Sequence, residues 1–361
     1  MRHLALLASL ALGAVPAGST LSGPSVGEQD PGGSTLHLRY DEPAEFFEET
    51  LLLGNGRIGA ALFGGVGTEH IYLNDATLWA GGPVDPNMAP EAHQHLPAVI
   101  EALAAEDWEL ADRLVRRLQG SFSESFAPLG TLLLEMDHSG DPQRYERTLE
   151  LGSATATVQY EVGGVGYERS VFVSYPDRIL AVRLEASEPG ALGFLIRFES
   201  LLNYRVFSEA GTLNALGEAP VHAEPSYRGD IANPLVYEEG KGTRFAVRVR
   251  IGETDGVVTE TGGALVVSGA SGATILVSVA TSFNGFDREP GLDGLDERRL
   301  ARRVLADAAS RDFEALHARH KEDFGSYFHR VSLYLGEDPS PGLSTDQRLQ
   351  RYSGGAPDPY L

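Results

Sequence analysis

The sequence predicts a mainly β fold: a large antiparallel β-sandwich, or super-sandwich, with a helical insertion and a C-terminal helical linker. Three observations lead there. Short runs with apolar side chains at every second position recur along the chain, bounded by Gly, Pro, Asn and Asp clusters. The 42 glycines and 20 prolines are well distributed, which suits many strands joined by turns better than a helical bundle. Helical spacing dominates two long stretches, residues 86–120 and 296–330.

The N-terminus has the form of an export signal. Arg2 and His3 precede an apolar run over residues 4–15, and Val15-Pro16-Ala17 offers a small-residue cleavage site. The run is shorter than the ~20 apolar residues a membrane-crossing helix needs. Residues 1–17 therefore read as a signal peptide, and residues 18–34, rich in Gly, Ser and Pro, as a disordered linker. The expected location is secreted or periplasmic, with no membrane span once the signal is removed.

Residues 36–40 alternate as a half-buried strand does. Residues 51–83, LLLGNGRIGAALFGGVGTEHIYLNDATLWAGGP, then place short apolar strands between glycine-rich breaks. Gly54-Asn55-Gly56 supplies a turn that tolerates positive φ, residues 58–63 are of strand length, and Gly64-Gly65 breaks the chain again. Residues 69–73 form the next strand, closed by Asn74-Asp75. In residues 86–120 the period changes: Val99, Leu103, Leu110, Leu114 and Leu118 follow helical spacing and read as core, Pro97 suits a first turn and Gly120 a stop.

Residues 132–200 read as consecutive antiparallel strands. Residues 154–162 and 165–173 alternate across Gly163-Gly164, a hairpin signal, and residues 179–185 and 192–198 continue it around Glu188-Pro189-Gly190. A second set covers residues 245–251, 257–260, 265–268 and 274–280 at sandwich-like intervals. Between the sets, residues 201–242 read as one irregular stretch. Helical spacing returns over residues 296–330, residues 330–335 read as a short strand, and Ser344-Thr345-Asp346-Gln347 has the form of a capping box that starts a last helix. The expected organisation is a sandwich over residues 35–290, a helical linker with a short strand over 291–343, and the start of a truncated catalytic domain over 344–361.

Composition narrows the chemistry. There is no cysteine, so neither disulfides nor a thiol nucleophile contribute. A formal charge of −22, from 29 basic and 51 acidic residues, disfavours nucleic acid and anionic membranes but is compatible with a neutral sugar. The sequence carries no G-x-x-x-x-G-K-[ST] loop and no G-x-S-x-G elbow. His93-x-His95 and His317-x-x-His320 with Asp323 lack a complete ligand set, so neither a metal nor any other cofactor is expected.

Residues 51–83, with the loop Asn74-Asp75-Ala76-Thr77-Leu78-Trp79, resemble the opening of glycoside hydrolase family 95, the α-L-fucosidases and their α-L-galactosidase relatives. The resemblance continues in family order through residues 145–200, 219–227 (APVHAEPSY), 237–249 and 282–287 (SFNGFD). It implies an N-terminal β-sandwich and helical linker, followed in the family by an (α/α)6 barrel that holds a general-acid Glu and a general-base Asp of an inverting mechanism. None of the barrel motifs has a counterpart here, so no catalytic residue is carried over. Inverting hydrolysis needs two carboxyl groups about 6.5–9.5 Å apart, a geometry that sequence does not locate. For Glu48-Glu49, Asp75 and Glu224, the acids nearest the marked loops, solvated or turn-capping roles are expected.

Five residues are candidates to face a substrate or the barrel. Trp79, among Gly and Pro neighbours, can stack on a sugar face or plug an interface, and Asn74 and Thr77 position its loop. His222 and Tyr227 lie on a loop stiffened by Pro220 and Pro225. The expected partners are the barrel and a fucosylated or related glycan. The expected function is the N-terminal part of a secreted fucosidase-like enzyme, inactive alone; a standalone carbohydrate-binding or scaffold module is the alternative.

Overall fold

A computed structural model describes residues 36–120, 123–333, 336, 338, 340–359 and 361. The expected signal peptide and linker lie outside the described residues. Two antiparallel sheets form the body of the described chain. The first has nine strands in the order β1 (His37–Tyr40), β6 (Gln143–Glu150), β7 (Thr155–Val162), β8 (Val165–Ser174), β9 (Ile179–Ala186), β18 (Gly272–Thr281), β15 (Arg244–Thr254), β12 (Thr212–Glu218) and β11 (Asn203–Glu209). The second has seven, in the order β16 (Val257–Thr261), β17 (Ala264–Ala270), β10 (Leu192–Glu199), β5 (Gly130–Met136), β4 (Thr68–Asp75), β3 (Ile58–Leu62) and β2 (Leu51–Gly54). A separate ribbon pairs β13 (His222–Ala223) with β14 (Leu235–Val236).

Alternation puts one face of each sheet into a shared core. Leu62, Ile71, Leu134 and Ile196 of the seven-stranded sheet and Val158, Val182, Val247 and Val277 of the nine-stranded sheet belong to one buried cluster. The nine-stranded sheet is also covered outside. Leu305 and Ala308 of α3 (Glu297–Ala308), with Phe313 and Leu316 of α4 (Phe313–Phe328), pack on Phe172, Ile179, Ala181 and Leu276. That cover explains why β18 has no solvent-facing side: every residue after Gly272 is buried.

Inside the sandwich, Glu69 of β4 and Arg169 of β8 form a fully buried ion pair. The Glu69 carboxylate also accepts Phe63 N at 3.0 Å and Gly64 N at 3.1 Å, and Arg169 donates to Gly65 O at 3.1 Å. Burial raises the pKa of Glu69 while Arg169 opposes that shift.

Several expectations are corrected. Residues 201–242 are irregular only in their second half: β11 and β12 form a hairpin through Ala210 (φ 52°) and Gly211 (φ 72°), the doubly positive-φ turn that suits sheet twist. β11 is an exposed edge strand, so its sequence NYRVFSE carries little apolar alternation. The Glu188-Pro189-Gly190 turn does not continue one sheet but takes the chain from β9 to β10 in the other. No strand forms over residues 330–333, and Tyr334 and Leu335 lie outside the described residues.

The helical insertion between β4 and β5 is α1 (Leu96–Ala104) and α2 (Trp108–Val115). Pro97 sits in the first turn as expected, but of the five-residue stripe only Val99 is buried, and Leu103 is exposed. The hairpin lies outside the sandwich core and leaves Leu96, Ile100 and Trp108 exposed as well. The last helix, α5 (Thr345–Ser353), forms beside β1, where Arg39 N donates to Thr345 Oγ1 at 3.0 Å. Its expected capping box does not: the buried Ser344 Oγ makes no hydrogen bond. No helix among the described residues is long and apolar enough to cross a membrane.

Candidate functional site

The loop after β4 is built on Asp75. This carboxylate is fully buried and accepts Thr77 N at 2.9 Å, Thr77 Oγ1 at 2.6 Å and Arg57 Nε at 3.1 Å. An Asp side chain that captures the backbone two residues on is the usual way such a turn is fixed. Thr77 Oγ1 also lies 2.5 Å from Thr281 Oγ1, which ties the loop to the end of β18. Leu78 is fully buried and anchors the loop, so Trp79 turns outward. Trp79 is 45% exposed, and its indole N–H donates to Ala76 O at 3.1 Å.

Two other loops meet this one. Ala80 N donates to Ser125 O at 2.9 Å, Ala127 N donates to Leu78 O at 3.0 Å, and the Trp79 and Phe126 rings sit edge to face with centroids 6.0 Å apart. Gly81 N donates to Pro220 O at 3.0 Å. Glu124 then joins the third loop: its Oε1 lies 2.8 Å from His222 Nδ1, and its Oε2 accepts Ala223 N at 3.0 Å. Glu224 approaches the other ring nitrogen, His222 Nε2, at 3.2 Å and accepts Arg228 Nη1 at 2.8 Å. The hydrogen bonds to Glu124 and Glu224 raise the pKa of His222 by favouring the imidazolium, in which both nitrogens donate.

Close approach explains two glycines of the rim. Gly81 has φ of 80°, and a Cβ there would lie 2.5 Å from Glu124 Cγ. A Cβ on Gly82 would lie 2.6 Å from Glu289 Oε2, so the loop that follows β18 borders the same rim. That loop leaves Phe283 and Phe286 exposed.

The structure thus brings Trp79, Thr77 and His222 into one connected rim. Asn74 is half-buried in β4, where a Cβ added to Gly59 would lie 2.4 Å from Asn74 Oδ1, so its side chain fills the notch left by that glycine. Tyr227 stands 79% exposed on the short turn after Pro225 and takes no part in the bonds that tie the loops. Asp75 has the turn-capping role expected of it. Glu224 is not merely solvated: it pairs with His222 and Arg228. Glu124 and Phe126 were invisible to sequence reading, because SFSESF carries neither periodicity nor a turn signature. A His on a rigid loop in need of a carboxylate was the available signal.

The histidines of α4 point at the sheet. His317 Nε2 lies 3.0 Å from Thr155 Oγ1, and His320 Nε2 lies 2.9 Å from Ser153 O. Burial lowers both pKa values, that of His317 to about 4, which keeps the rings neutral and stacked on Phe172. Their ring nitrogens thus serve packing. No group of three or more His, Cys, Asp or Glu able to hold a metal occurs among the described residues.

Residues 38–285 match the family described as glycosyl hydrolase family 65, N-terminal domain. The chain belongs to that family. This family 65 N-terminal domain is 30% identical over 335 residues to alpha-L-fucosidase 2 of Arabidopsis thaliana, covering 89% of this chain and 38% of the relative. It is 25% identical to a probable alpha-fucosidase A of Aspergillus oryzae, covering 87% of this chain and 43% of the relative. Among solved structures, a putative kojibiose phosphorylase from human microbiome aligns with a TM-score of 0.49 at 10% identity, over 87% of this chain and 40% of that one. The chain spans about two fifths of the length of the curated relatives it matches. The expectation of an N-terminal sandwich domain of a glycoside hydrolase holds, and the matching family carries the number 65 where the sequence resemblance was to family 95.

Proposed function

We propose that this chain is the N-terminal supporting domain of a secreted or periplasmic glycoside hydrolase of the family 95 type, one that removes terminal α-L-fucosyl or related groups with inversion. Its role is to carry a catalytic (α/α)6 barrel and to lend that barrel one wall of the sugar pocket. The sandwich spans residues 35–290, the linker 291–343, and residues 344–361 lead towards the barrel.

One observation carries the reading: three loops far apart in sequence are cross-linked into a rigid rim that holds Trp79 and Phe126 at the surface. Exposed aromatic rings on fixed backbone suit a sugar face, because stacking buries C–H surface without ordering a mobile loop. The acids of the rim are engaged: Glu124 and Glu224 both bind His222, and Asp75 binds its own turn. They therefore support the wall rather than donate protons to a substrate. The names of the curated relatives support the fucosidase reading.

The test is direct. Purified residues 18–361 release no fucose from 2-linked fucosyl substrates, whereas the same residues followed by a barrel do. Turnover by residues 18–361 alone would move the catalytic site into the sandwich and overturn the proposal.

A further inference from the structure

A concavity lies between α4 and the turn that joins β2 to β3, the turn whose Arg57 also bonds Asp75 at the base of the Trp79 loop. Its volume is about 380 Å³, within the ~300–1,000 Å³ usual for small-molecule sites. Tyr175, Phe324 and Tyr327 line it together with Asn55, Asp323 and His320. We infer that this cleft binds one residue of a neutral sugar.

The walls offer the two kinds of surface such a ligand needs. Tyr175 and Tyr327 are each 62% exposed, large aromatic faces held at the mouth of a pocket. A hexose ring presents C–H faces that pack on aromatic rings and a rim of hydroxyls that must find acceptors. Asp323 supplies the acceptor: its half-buried carboxylate takes no hydrogen bond among the described residues, while its backbone oxygen accepts Ser326 Oγ at 2.6 Å.

The floor is already fixed. Asn55 Oδ1 accepts Arg57 N at 3.0 Å and Ile58 N at 2.8 Å, and Asn55 Nδ2 donates to Ser174 O at 2.8 Å. His320 is held by Ser153 O, and its ring stacks on Phe324 with centroids 6.2 Å apart. A pocket whose walls are set before binding loses little freedom when a ligand enters. Asp323 and Arg330, whose guanidinium lies over one face of the Tyr327 ring at 5.0 Å, bring one charge of each sign to the cleft, so neither an anion nor a cation is favoured over a neutral guest.

The pocket is formed by this chain alone, so its test stands or falls apart from the barrel-support reading. Residues 18–361 are titrated with the methyl glycosides of L-fucose, D-galactose and D-glucose, followed by saturation-transfer NMR and calorimetry. At least one binds saturably, and Tyr175→Ala and Tyr327→Ala each weaken it roughly tenfold. Asp323→Asn weakens it too, whereas Val257→Ala, at the opposite edge of the seven-stranded sheet, leaves it unchanged. Both tyrosines are exposed, so their variants retain the melting temperature of the parent. The inference is overturned if none of the three glycosides saturates, if binding survives both tyrosine variants, if Val257→Ala abolishes it, or if choline binds in their place.

Discussion

His222 and Glu124 stand 98 residues apart in the chain and meet at 2.8 Å, and that contact joins the Trp79 rim to the loop beyond it. The bond favours the imidazolium, so the His222 ring titrates above the ordinary value of about 6.5. Its contribution to stability is full below about pH 6.5 and is lost as the pH rises through the raised folded value. An NMR titration of the His222 ring protons gives a midpoint above 6.5, and Glu124→Gln moves it down. A midpoint at or below 6.5 in the parent protein contradicts this assignment.

Gly81 tests the same joint by sterics. Its φ of 80° and the 2.5 Å approach of Glu124 Cγ leave no room for a methyl group. Gly81→Ala displaces Glu124 and strains the turn, at a cost of about 1–3 kcal/mol by urea denaturation. It also lowers the His222 midpoint, an effect that a purely local backbone strain does not produce.

The buried Glu69–Arg169 pair makes a different prediction. Removing one partner leaves a charge without compensation in the core, so Arg169→Met destabilises by about 3–5 kcal/mol in urea denaturation. Arg169→Met combined with Glu69→Gln recovers part of that loss. A single variant within about 1 kcal/mol of the parent contradicts the burial of the pair.

His317 titrates in the opposite sense to His222. Burial holds its folded pKa at about 4, below the ordinary 6.5, so the unfolded chain binds the extra proton first. Its contribution is full above pH 6.5 and is lost as the pH falls from there towards about 4. Melting temperatures measured across that window fall less steeply for His317→Asn, which remains neutral, than for the parent. Equal slopes contradict the account.

Much of the sandwich was legible because local turn chemistry and alternation agree. The β7–β8 hairpin is the clearest case: Gly163 and Gly164 take φ of 61° and 88°, and the flanking strands alternate inward and outward. The β11–β12 hairpin was missed because its turn uses Ala210 at positive φ and its edge strand has little apolar face to show. Which sheet receives a strand was also hidden, since β9 and β10 are both largely apolar and only tertiary packing separates them. At the rim, Trp79 and His222 sit in loops that Gly and Pro mark. Glu124 became visible only through the partners it contacts, because an acid on an unpatterned loop carries no local signature.

The central claim is that the Trp79 rim walls a sugar pocket completed by a barrel. It is tested most directly by steady-state kinetics on a polypeptide that carries this chain together with that barrel. Trp79→Ala and His222→Ala each raise KM for a 2-linked fucosyl substrate by roughly tenfold and change kcat much less, as loss of uniform binding requires. Kinetic constants unchanged in both variants would contradict the account.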